Sequence, residues 1–121
     1  MNENRRRLSR EELEQRLGCA RLGALSLARF GGVMISDDVF NGRHVVDHMF
    51  RGEPDPRLPF SGWTFFSSQD QLSETRGLDL HDCLAILRIA PEVAQYLDMP
   101  PGTDLIRTGE TTFEIDEGDD A

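Results

Sequence analysis

The chain has 121 residues, a net charge of −9 and two cysteines. That is about one domain with one modest core, which excludes a multidomain enzyme. Hydrophobic residues are 38%, charged residues 29% and aromatics 7%. This balance points to a soluble globular protein rather than a disordered one. No apolar run approaches the roughly 20 residues that a membrane helix needs. The charged opening lacks the apolar stretch of a secretory signal, and two cysteines make no disulfide framework. The expected compartment is therefore the cytoplasm, with reduced thiols.

All thirteen basic residues are arginine. Residues 1–30 hold seven of them against four glutamates, whereas residues 31–121 hold six against eighteen acids. The main body should repel nucleic acid and anionic membranes, and attract a basic partner. The bland alternative is that the charge serves solubility alone.

Leu8-Ser9-Arg10-Glu11-Glu12-Leu13 reads as a helix start. Ser9 and Glu12 form a capping box, and Leu8 and Leu13 form a hydrophobic staple. Leu13, Leu17, Ala20, Ala24 and Leu27 share a helical face. One helix, kinked near Gly18, is expected over 10–28. Val33-Met34-Ile35 reads as a strand, and Asn41-Gly42 as the turn of a hairpin that returns along 43–51. Apolar residues on both faces of that return make it a central strand. Three prolines mark 52–61 as loop. Residues 62–67 form a third strand, and 68–77 a polar loop. Asp79 is read as the N-cap of a helix to Ile89, and Pro91 opens a second short helix to Leu97. Residues 104–108 and 111–115 form two last strands about Gly109-Glu110. The expected fold is a single α+β domain. Its antiparallel or mixed sheet of about five strands carries an N-terminal helix and two short helices after the third strand. The expected organisation is a helical segment 1–30, a domain 31–115 and an acidic tail 116–121.

Catalytic motifs are wanting. On a strand, His44 and His48 stand about 13 Å apart, too far for one metal ion. His81 and Cys83 show no metal-ligand spacing. His48 reads as a half-buried residue and His44 as a surface one beside the turn. Cys83 lies on an apolar helix face, where a thiol is inert. Gly31-Gly32 is not a phosphate loop, because no lysine follows. No catalytic, cofactor or metal residues are nominated. Trp63, the only tryptophan, is either core or an aromatic anchor beside the proline loop.

Three blocks carry a resemblance: Gly31-Gly32-Val33-Met34-Ile35-Ser36-Asp37, Met49-Phe50-Arg51-Gly52-Glu53-Pro54-Asp55 and Ser61-Gly62-Trp63-Thr64-Phe65-Phe66-Ser67. With Asp98-Met99-Pro100-Pro101-Gly102, they resemble the thirty-third numbered immunity-protein family of bacterial polymorphic toxin systems, formerly a domain of unknown function. The resemblance spans about 31–107. Phe50, Gly52 and Ser68 depart from the family's usual tyrosine, glutamate and glycine. It implies a non-catalytic protein that binds and neutralises a cognate toxin domain. It carries no catalytic residues and no cofactor. The alternatives are a regulatory or scaffold protein unrelated to toxins and a hydrolase using an unrecognised carboxylate site. The expected partner-binding residues are Asp37, Asp38, Arg51, Glu53, Asp55, Asp70 and Glu74, with Trp63 as anchor. Arg51 has a second reading, as a structural partner of Glu53 or Asp55.

Overall fold

The computed structural model describes residues 7–55, 57, 59–70 and 77–116. Helix α1 (Arg10–Leu17) begins as its sequence dictates. Ser9 Oγ accepts from the Glu12 amide at 3.1 Å, and Glu12 Oε1 accepts from the Ser9 amide at 2.8 Å. Leu8 and Leu13, the staple pair, are both buried.

The expected long helix does not continue. Gly18 has φ +90°, a value that favours glycine, and it separates α1 from α2 (Cys19–Ala24). The break resets the helical phase. Leu22 and Leu25 become the core residues, while Ala20, Ala24 and Leu27 face solvent.

Six strands form one mixed sheet: β1 (Gly32–Ser36), β2 (His48–Arg51), β3 (Phe60–Phe66), β4 (Leu78–His81), β5 (Asp104–Arg107) and β6 (Phe113–Ile115). Their order is β4-β1-β3-β2-β5-β6. β1 and β3 are parallel, and the other pairs are antiparallel. The central position expected for β2 and the last hairpin are as the sequence reads.

Two local expectations fail. Asn41-Gly42 does not turn a hairpin, because β1 pairs with β3 and β4 instead of β2. Ser36 Oγ accepts from the Val39 amide and starts a single helical turn, α3 (Asp37–Phe40). Asp37 and Asp38 suit its N-terminal dipole. Asn41-Gly42 then closes this turn, and the return forms a strand only from His48 onward. Likewise, Asp79 is not an N-cap. Residues 78–81 form strand β4 along β1, and Asp82 caps α4 (Cys83–Ile89) through the Leu84 amide at 2.9 Å. A short 3-10 helix, Pro91–Tyr96, follows.

The helices pack on one face of the sheet. Val33, Ile35, Met49, Trp63, Phe65, Leu105 and Phe113 point from the strands into a core closed by Leu13, Leu22, Leu25, Ile86, Leu87, Val93 and Leu97. The N-terminal segment therefore shares the core of the sheet. Among the described residues, no helix is long and apolar enough to cross a membrane.

Candidate functional site

Strand alternation sends every second side chain to the opposite face of the sheet. Cross-strand registers align Leu80, Met34, Thr64, Phe50 and Asp104 in one row. Phe66, His48, Ile106 and Glu114 align in a second. None of these side chains is buried. Phe50 and Leu80 are 40% and 46% exposed. His48 stacks on Phe66 with ring centroids 5.0 Å apart. The result is an apolar and aromatic face with acids at its β5–β6 side.

The strand arginines lie on the other face. Arg51 donates to the carbonyl oxygens of Ser61, Leu97 and Met99. Arg107 donates to those of Val46, Gly109 and Glu110, and to the Glu92 carboxylate at 2.7 Å. Both are fixed by the fold.

The residues nominated from sequence divide. Glu53 is exposed. Asp55 is half-buried and accepts from the Arg57 amide at 2.9 Å and from its guanidinium. Asp37 is exposed beside Asp79. A hydrogen bond with Asp79, burial and the Asp79 and Asp38 charges raise the Asp37 carboxyl above the ordinary range, against a smaller opposing effect of His81. Asp38 binds Arg43 at 2.9 Å.

Three nominated side chains turn inward. Trp63 is 0% exposed, and its Nε1–H donates to the Leu97 carbonyl at 3.0 Å, so it is core and not a surface anchor. Arg51 is a structural staple, but its partners are backbone carbonyls rather than Glu53 or Asp55. The Asp70 carboxylate is 1% exposed. It accepts from His44 Nδ1 and the Ser67 amide, each at 2.7 Å, and from Ser36. Burial pushes the Asp70 carboxyl up, but these hydrogen bonds outweigh it and hold the carboxyl below its usual value. His44 is correspondingly half-buried, not a plain surface residue. Glu74 lies outside the described residues.

Asp38, His44 and Asp70 place one potential ligand atom each within 4.8 Å of the others. Arg43 and the Ser67 amide already take part of this oxygen set, so the cluster is a half-buried polar network that holds its own partners. A cleft of about 310 Å³ lies beside it, walled by Arg7, Phe40, Arg43, Val45 and Ile89. The Arg7 guanidinium lies 4.4 Å from the Phe40 ring centroid. Cys83 is buried, and desolvation pushes its thiol up to about 12, away from nucleophile chemistry.

Sequence reading missed the open face. Its signal was present in β2, where apolar residues fall on both faces. A central strand and an open second face give the same local pattern, so the pattern alone does not separate them.

No match exists among curated proteins or solved structures. The chain does match the family described as "Immunity protein Imm33 domain" over residues 33–116, which takes in all six strands except Gly32. With most of its length and nearly the whole sheet inside that match, the chain belongs to the Imm33 domain family of immunity proteins.

Proposed function

We propose that this chain binds a cognate bacterial toxin domain and neutralises it without chemistry of its own. The observation that carries this reading is the family match over residues 33–116. Charge supports a basic target such as a nuclease: the net charge is −9, and most acids follow residue 30. Electrostatic complementarity of this kind speeds encounter and disfavours wrong partners. The site of action is the cytoplasm, where a toxin delivered from a neighbouring cell would have to be stopped.

Two experiments test the proposal together. The tagged chain is recovered from its native bacterium, and bound proteins are identified by mass spectrometry. The toxin domain so identified is then expressed in a heterologous host with and without this chain. One stoichiometric toxin domain, released by high salt, with host survival only on co-expression, is the expected result. Failure of the chain to protect, or recovery of a regulatory protein in place of a toxin, overturns the proposal in favour of a scaffold role.

A further inference from the structure

Toxin binding, as proposed, requires a docking surface on this chain. Resting on that reading, we infer that the toxin domain docks on the open face of the sheet. Phe50 and its row neighbours meet an apolar patch on the toxin, and Asp104 and Glu114 meet cationic side chains beside that patch.

Isolated exposed apolar residues need no explanation, but a contiguous apolar patch on a soluble chain marks an interaction surface. Here Leu80, Met34 and Phe50 share one row across four neighbouring strands, with Thr64 between the last two, and Phe66, His48 and Ile106 lie alongside. Six strands at about 4.8 Å spacing make a face roughly 24 Å across. That suits the centre of a standard interface, which covers about 800 Å² on each partner.

Charge selects the occupant. The strands place no arginine on this face, since Arg51 and Arg107 are held on the other by backbone carbonyls. Asp104 and Glu114 occupy the β5–β6 side of the face. Asp104 also lies near Asp116; burial and then that like charge raise its carboxyl above the usual range, with His48 on the same face opposing them only in part. A partner's cation placed there relieves this crowding. A second copy of the chain would instead bring a further set of carboxylates to an already negative surface. The favoured occupant is therefore a basic partner with an apolar centre.

The test uses the toxin domain recovered above, purified, and titrated against wild type, Phe50→Arg, the double variant Asp104→Lys/Glu114→Lys, and a control Glu11→Arg on α1. Thermal unfolding verifies that each variant folds. Phe50→Arg should weaken binding at least 100-fold. The double lysine variant should weaken it about tenfold at low salt and flatten its salt dependence, and Glu11→Arg should leave it unchanged. Hydrogen exchange on the wild-type complex gives a readout that needs no variant, with new protection expected in residues 48–50, 64–66 and 104–106. Wild-type affinity in folded Phe50→Arg, or protection confined to α1 and α2, overturns the surface assignment while leaving toxin neutralisation intact. A free chain that dimerises and is made monomeric by Phe50→Arg assigns the face to a second copy and also overturns it. If the wild-type chain binds no toxin, the functional proposal falls and this inference falls with it.

Discussion

Arg51 and Trp63 share one acceptor. The Leu97 carbonyl takes the indole N–H at 3.0 Å and an Arg51 N–H at 3.3 Å, and the guanidinium carbon lies 5.8 Å from the Trp63 ring centroid. Arg51 also donates to Met99 at 2.8 Å. Three sequence blocks, around Arg51, Trp63 and Met99, are thereby joined at one point beneath the sheet. These are three of the four blocks on which the resemblance to the family rests.

Trp63→Ala removes the largest fully buried side chain of the core. The expected loss is about 3–5 kcal/mol, read from urea unfolding followed by circular dichroism. Trp63→Phe should lose less, because it keeps most of the volume, leaving a smaller cavity and losing the bond to Leu97.

Arg51→Ala leaves the Ser61 and Met99 carbonyls without this donor. About 2–3 kcal/mol should be lost, as for hydrogen bonds to a charged group. Arg51→Lys should fall between, since an ammonium lacks the guanidinium fork that reaches three carbonyls. Equal stability of the wild type and both variants in chemical denaturation would refute the staple.

Gly62→Ala tests the crossing of β3 and the loop after β2. Gly62 has φ +99°, and an added Cβ would run into the Gly52 carbonyl oxygen. Left-handed strain and the clash together should cost about 2–4 kcal/mol. A shift in Tm of several degrees is the measurement.

Stability should fall in acid, with a defined sign. The Asp47 and Asp70 carboxyls lie below their usual value. Burial opposes this in both, but bonds from His48 and Ser68 for the first, and from His44, Ser36 and Ser67 for the second, prevail. Their contribution is present above the ordinary carboxylate value of about 3.9 and is lost as pH falls through the lower folded values. Asp37 and Asp104 are raised and act oppositely, so that the fold gains as pH falls from neutrality through their raised values. A shallow rise followed by a steep acid loss is expected in unfolding experiments between pH 7 and 2. Asp70→Asn should lower stability at neutral pH and flatten the acid limb.

The two thiols should react differently. Cys19 is exposed and Cys83 is buried, with its thiol pushed up to about 12. A chromogenic disulfide reagent should modify one thiol per native chain and two in denaturant. Rapid reaction of both in the native state would show that the core around Ile86 and Leu87 opens.

The site was only half legible in the sequence. Glu53 and Asp37 are surface acids as their local polarity implies, whereas Asp70 reads identically and is buried by His44, Ser36 and Ser67. Nothing within a few residues of Asp70 announces His44, because a bond across 26 positions of chain leaves no local pattern.

By itself the sequence determined what short-range chemistry controls: the capping box at Ser9 and Glu12, the short helix opened by Pro91, the apolar strand at 33–35 and the hairpin of β5 and β6. The blocks that carry the family resemblance were legible too, because their residues lie in order along the chain. Only the tertiary structure decided that Asn41-Gly42 closes a helical turn, that 78–81 is a strand, that Trp63 is core and that Phe50 lies on an open face. Each of those outcomes depends on a partner distant in sequence, such as β3 beside β1 or Leu97 beneath Trp63. Hydrogen bonds within one helical turn are set by neighbouring residues, whereas strand pairing and burial are set by whatever the whole chain brings together.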